Sequence, residues 1–268
     1  MKKSSVSRRD VLMWGTSLAL GVGVGLTPAW AQQPRRVLLF TKSSGFEHDV
    51  IKRQGDAPSV VGRALVTLAK QFDVEMEESK DGTLFEPGSI GRYDGFVFYT
   101  SGNLTEPGTD KHPPMSERGK GALLDAIRSG RGFLGLHSAS DTFRGGKEID
   151  PYVEMLGAEF VSHGTIQDAT MRVADDTFPG AGVLGEVALR EEWYAMTRYA
   201  KDLKPILMLQ TRGMQGPMYK QDPYPVAWSR QHGKGRVAYI SPGHLRETWE
   251  NEMYLKFVSG ALGWTMGV

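Results

Sequence analysis

Gly135-Leu136-His137-Ser138-Ala139-Ser140-Asp141 follows directly on Gly132-Phe133-Leu134, in a chain of 268 residues that contains no cysteine. A Gly-x-nucleophile-x-Gly/Ala step after a buried strand presents its central side chain on a tight turn. The residue in that position is ordinarily Ser or Cys; here it is His137. An imidazole seldom does the nucleophile's work in amide cleavage, but it makes a good metal ligand or general base. The stretch predicts a strand-and-turn built to present one side chain, carrying a different chemistry.

Working outward from it, Val37-Leu38-Leu39-Phe40-Thr41 is a continuous apolar run ended by Ser43-Ser44-Gly45. Such a run reads as a strand buried on both faces of a parallel sheet. Asp56 and Pro58 mark a helix start, and Val60, Val61, Ala64, Leu65, Leu68 and Ala69 recur at helical spacing to about Phe72. Val74 to Glu78 alternates in polarity, as a strand nearer an edge would, and Tyr93 to Thr100 is a third strand. A helix over Ser116 to Ser129, stopped by Gly130, leads into the strand that delivers His137. This β-α-β alternation predicts an α/β fold with an open, doubly wound, mostly parallel sheet.

Beyond Tyr152 short strands dominate: Phe160 to Ser162, Ala169 to Val173, Val187 to Glu191, Ile206 to Gln210, Val226 to Ser229, then a hairpin into Arg236 to Ile240. A helix over Thr248 to Trp264 closes the chain. The C-terminal half therefore reads as additional strands grafted on the same sheet, within one domain over residues 32–268.

Two glycine-rich stretches are rejected as nucleotide sites, so no nucleotide cofactor is expected. Gly130-Arg131-Gly132-Phe133-Leu134-Gly135 runs into a strand, whereas the dinucleotide fingerprint runs from strand to helix. Gly21-Val22-Gly23-Val24-Gly25 lies in the apolar part of a leader. That leader, with Ser7-Arg8-Arg9-Asp10-Val11-Leu12-Met13 ahead of a weakly apolar run and Ala29-Trp30-Ala31 at its end, reads as a twin-arginine (Tat) export signal cut after Ala31. Its run is too short and glycine-rich for a stable membrane span. A periplasmic or otherwise exported protein is expected, with the Tat machinery as a partner. Removing residues 1–31 takes four basic residues and one acid, so the net charge falls from +1 to −2. A near-neutral domain has no electrostatic case for binding nucleic acid.

Ligands of open α/β sheets bind outside the carboxyl ends of the strands. His48 lies just beyond the first strand, His137 ends the fourth, His163 follows Phe160-Val161-Ser162, and His244 follows the last strand. Four of the six histidines thus fall on one expected rim, while His112 and His232 sit in a proline loop and a hairpin turn, where exposure is expected. Without cysteine, a divalent ion (Zn or similar) would be held by imidazole nitrogen and carboxylate oxygen, with His48, His137, His163 and His244 as ligand candidates. Glu192 is the best carboxylate, and His137, Glu192 and His244 are the catalytic candidates. Ser44 and Asp141 are candidates to touch substrate, and Asp141 could also orient a histidine ring. Trp193, Tyr194, Trp228 and Trp249 offer aromatic faces for a sugar ring, against the alternative that they are core.

The chain resembles the ThuA-like (trehalose-utilisation) family, a branch of the class I glutamine amidotransferase-like, flavodoxin-related folds. The resemblance rests on Lys42-Ser43-Ser44-Gly45-Phe46-Glu47-His48-Asp49, Tyr93 to Phe98, Gly135 to Asp141, Phe160 to His163, Glu191-Glu192-Trp193-Tyr194, Pro225 to Trp228 and Ser241-Pro242-Gly243-His244. It covers essentially all of the chain after the leader. It implies that His137 stands where amidotransferases carry cysteine, that His244 lies near their triad histidine, and that Glu247 holds the acidic position. Glutaminase activity is then not expected, and a serine hydrolase would have to use Ser138, one place past the turn. The resemblance implies a role in trehalose and related disaccharide catabolism, beside enzymes that make 3-keto glycosides. The expectation is a metal-dependent enzyme acting on a small glycoside or keto-sugar by lyase, hydrolase or isomerase chemistry. The alternatives are a non-catalytic sugar-binding protein and a structural partner in an exported complex; a homo-oligomer is left open.

Overall fold

The computed structural model describes residues 33–268; the leader reading, including the cut after Ala31, lies outside the described residues. Strand β1 (Arg35–Phe40) shows why its sequence is apolar throughout. Val37 and Leu39 enter one core with Val61, Leu65, Phe257 and Leu262, while Leu38 and Phe40 enter a second with Phe98, Leu123, Ile127 and Tyr152. A strand with helices on both faces must be apolar at odd and even positions alike.

Around β1 the sheet runs β2 (Val74–Ser79), β1, β3 (Gly95–Phe98), β4 (Gly132–Leu136) and β11 (Gly235–Ile240), with each neighbouring pair parallel. It then continues antiparallel through β10 (Tyr224–His232), β9 (Lys204–Gln210), β6 (Gln167–Val173) and β7 (Glu186–Glu191). β2 lies at the edge, as its alternation predicts. The order 2-1-3-4 reverses direction between β1 and β3, and such a switch point opens a crevice at the carboxyl ends of the strands.

Helices α1 (Val60–Ala69) and α4 (Glu252–Met266) cover one face, and α2 (Glu117–Arg128) and α3 (Pro151–Leu156) cover the other. α2 starts after Ser116, as read from sequence, because the Ser116 hydroxyl caps the Gly119 amide. α1 starts later than Asp56 and Pro58 suggest, because Ser59 accepts the Gly62 N–H and is itself held by Glu78. α4 begins at Glu252, not Thr248: Glu247–Glu250 is a 3-10 turn, and Asn251 caps the helix proper.

Three features depart from the sequence reading. α3 was not anticipated, although Asp150 caps it, Pro151 opens it and left-handed Gly157 closes it. β5 (Glu159–His163) leaves the main sheet and pairs with an unanticipated strand, β8 (Tyr194–Thr197). That ribbon sets His163 opposite Tyr194. His232 is half-buried rather than exposed, whereas His112 is exposed. No described helix is long and apolar enough to cross a membrane.

Candidate functional site

The turn after β4 brings strand and chain reversal into close contact. A Cβ on Gly135 would lie 2.9 Å from a Leu156 methyl and 3.3 Å from the Ala139 Cβ. Small residues two places before and after His137 are therefore a packing requirement, which is why the Gly-x-His-x-Ala spacing was legible. His137 itself adopts φ +42°, a region that costs a non-glycine residue free energy and persists only where the surroundings impose it. They do so here: the Tyr239 hydroxyl donates to the His137 carbonyl at 2.6 Å, and the side chain is fully buried.

Its ring is oriented by backbone. The His137 Nδ1–H donates to the Ser241 carbonyl at 2.7 Å, which leaves the Nε2 lone pair free. Nε2 lies 3.3 Å from His244 Nδ1 and 3.6 Å from Glu192 Oε2; His244 Nδ1 is 3.2 Å from the same oxygen. His48 closes the group, with its ring centroid 4.8 Å from that of His137 and 5.1 Å from that of His244. One donor atom from each of His48, His137, Glu192 and His244 lies within 4.8 Å of the others. Tyr194 packs on the His137 ring, centroids 4.3 Å apart. The His244 loop is supported from behind by Tyr99 and Trp249, both donating to the Gly243 carbonyl, and by Tyr254, which donates to that of Pro242.

Sequence reading thus brought together His48, His137, Glu192 and His244. His163 is exposed, at the mouth; its Nδ1 is 3.2 Å from Glu192 Oε1 but it is not one of the four clustered donors. Asp141 pairs with Arg144, and the orienting role expected of it at His137 belongs to the Ser241 carbonyl. Ser44 hydrogen-bonds the Glu106 carbonyl and is not in the cluster. Glu247 is exposed and apart from the four donors.

Trp193 and Trp228 have 0% exposure, so neither can offer a face to a sugar. Their indoles donate to the Gln167 and Leu156 carbonyls as core residues do. The aromatic that is open is Phe46, 65% exposed, with its ring edge-on to His48 at 4.9 Å. The Ser138 hydroxyl is buried without a hydrogen-bond partner, so no base is placed to activate it as a nucleophile.

The charges of the cluster follow from burial and proximity. Burial, reinforced by His137 and His244, pushes His48 from 6.5 down to about 2. Burial opposes ionisation of Glu192, but the His137 and His244 rings beside it outweigh burial and hold the carboxyl well below its ordinary range. Burial would lower His244 too, yet its hydrogen bond to Glu192 and that carboxylate's charge leave it raised. In the metal-free protein a proton on His244 thus lies where lone pairs and a carboxylate converge. A divalent cation fits the same place: three imidazoles and a carboxylate form a borderline donor set, and His48 Nδ1 is buried with no protein partner.

A pH dependence follows for the metal-free protein. The unfolded chain protonates His48 below about 6.5, whereas the folded chain does not until about 2. Stability is therefore lost as pH falls below 6.5, by up to about 1.4 kcal/mol per unit. Glu192 adds to the loss below its unfolded value of 4.5. His244 acts oppositely, its contribution being complete below 6.5 and fading as pH rises through its raised folded value. Melting curves of chelator-treated protein between pH 7 and 4 should show a falling midpoint; a flat midpoint would contradict the buried, neutral state of His48.

The sequence matches the ThuA family model, described as trehalose utilisation, over residues 36–265. The chain belongs to the ThuA family. Similar solved structures include a putative ThuA-like protein from Bacteroides uniformis (TM-score 0.67, 17% identity, covering 90% of this chain and 95% of that one). Another is a putative ThuA-like protein from Parabacteroides merdae (0.62, 12%, 87% and 90%). A third is a cytoplasmic protein from Salmonella typhimurium (0.57, 12%, 86% and 99%). A search of curated proteins found no match. This ThuA protein has the class I glutamine amidotransferase-like fold, and the family name ties it to carbohydrate metabolism.

Residues that sequence reasoning missed are Glu191, Ser241 and Phe46. Ser241 acts through its backbone carbonyl, which leaves no residue-type signal. Glu191 was visible only as the neighbour of Glu192.

Proposed function

We propose that this ThuA protein is an exported, metal-dependent enzyme that acts on a glycoside or 3-keto-glycoside. The observation that carries the reading is the convergence of His48, His137, Glu192 and His244 at the carboxyl rim of the sheet. Held by these four residues, a divalent cation would supply a Lewis acid for a carbonyl or hydroxyl oxygen. The chain's own contributions are separate. The bond from His137 Nδ1–H to the Ser241 carbonyl turns Nε2 towards Glu192 and His244. His163 is exposed, with Nδ1 2.8 Å from the Gly164 carbonyl and 3.2 Å from Glu192 Oε1, which places its ring beside the carboxylate on the solvent side, where it can exchange a proton with substrate. Phe46 offers an apolar face beside His48 against which the C–H side of a pyranose can pack. The Tat-type leader supports the exported location.

The test is elemental analysis of the purified protein, followed by assays on 3-keto-glucosides and the parent disaccharides with and without chelator. Bound metal and turnover that disappears on chelation and returns with added Zn²⁺ or Mn²⁺ are expected, with Phe46→Ala raising KM more than it lowers kcat. Sugar binding without turnover would replace the enzyme with a binding protein. Turnover indifferent to chelation would overturn the role of the metal.

A further inference from the structure

Glu191, the last residue of β7, is fully buried, yet none of the ion pairs among the described residues involves it. A carboxylate removed from water is tolerated only where donors meet its charge. Five do. Oε1 accepts the Gly243 and Leu245 amides at 3.1 and 3.4 Å and the Thr248 hydroxyl at 2.5 Å. Oε2 accepts the amide of Glu192 at 3.0 Å and that of His244 at 3.2 Å. A single oxygen therefore holds the backbone of two cluster residues that are distant in sequence. Its own strand is fixed by pairing of Glu191 with Gln167 in the main sheet.

We propose that Glu191 is the positioning residue of the metal centre: its carboxylate sets the separation of Glu192 from His244 and thereby the affinity for the cation. The inference rests on the metal reading above. The two side chains meet at 3.2 Å because their amides are tied to the same atom. Without the Glu191 carboxylate the His244 loop would lose the acceptor for three consecutive amides, those of Gly243, His244 and Leu245. A neutral amide cannot take over the role. Glutamine has one acceptor oxygen, so its NH2 group must face either the Glu192 and His244 amides or the Gly243, Leu245 and Thr248 donors. In both orientations donor meets donor.

The experiment is titration of the metal-free protein with Co²⁺, read by the visible absorption of the bound ion, alongside thermal melting. Glu191→Gln is expected to weaken Co²⁺ binding about 10–100-fold, as loss of an outer-sphere partner does, and to alter the absorption band. Thr248→Val, which removes one donor to Oε1 and none to Oε2, should weaken it less and in the same direction. Leu123→Ala, in the core beneath α2, should lower the melting midpoint and leave Co²⁺ affinity unchanged. If Glu191→Gln or, should it not fold, Thr248→Val binds Co²⁺ as tightly as wild type, Glu191 only holds the fold and the proposal fails. If wild type takes up no Co²⁺, the metal reading itself fails and takes this inference with it.

Discussion

Replacing His137 with alanine is expected to abolish metal retention and turnover while the chain stays folded. The side chain supplies the Nε2 atom that faces both Glu192 and His244. The loss in affinity should exceed the roughly 10–100-fold that accompanies removal of an outer hydrogen-bond partner. The cost to the fold is smaller. Alanine inherits the same positive φ, so strain changes little, and the main new penalty is the unpaired Ser241 carbonyl, about 1–3 kcal/mol. His137→Asn provides a second variant, because asparagine tolerates left-handed backbone better and keeps a donor near Ser241. Elemental analysis and thermal melting check the pair. Wild-type metal content in both folded variants would remove His137 from the centre.

Trp228→Ala is expected to lower stability by about 3–5 kcal/mol, the usual cost of truncating a large buried aromatic. In a domain of this size that corresponds to a fall of roughly 10 °C or more in Tm. Trp228 lies against Tyr239 with centroids 4.4 Å apart, and its Nε1–H donates to the Leu156 carbonyl at 2.8 Å, at the close of α3. Its removal leaves both a cavity and an unpaired carbonyl. Tyr239 in turn holds the His137 backbone, so a modest secondary loss of metal affinity is consistent with this role. An unchanged Tm combined with weakened sugar binding would instead restore Trp228 as a ligand contact.

The rim was legible in the sequence for a physical reason. Buried parallel strands must be apolar throughout, so their ends stand out, and the residue types just beyond them are few. His48, His137 and His244 were found that way, and Gly135 and Ala139 marked the turn because a tight reversal leaves no room for larger side chains. What hid the rest was the absence of any local pattern. β8 is four residues long and pairs with a segment more than thirty residues earlier, so nothing in Tyr194–Thr197 announces a strand. Trp193 and Trp228 were ambiguous because an indole looks alike in a core and in a sugar site; only burial separates them. Glu191 and Glu192 are adjacent acids whose side chains do different things, one holding backbone and the other joining the histidines. α3 is the exception, since Asp150, Pro151 and Gly157 together announce it.

The four donors come from loops dispersed over about 200 residues, from the turn after β1 to the turn after β11. No fragment that stops short of spanning His48 to His244 contains the complete set, and a nascent chain that has not yet added its final parallel strand has at most three. On the metal reading proposed above, ion capture at full strength would therefore be a late event, coincident with closure of the tertiary structure. Retained metal would report that the last strand has docked, and a truncation before His244 would remove that signal however well the remaining sheet had formed.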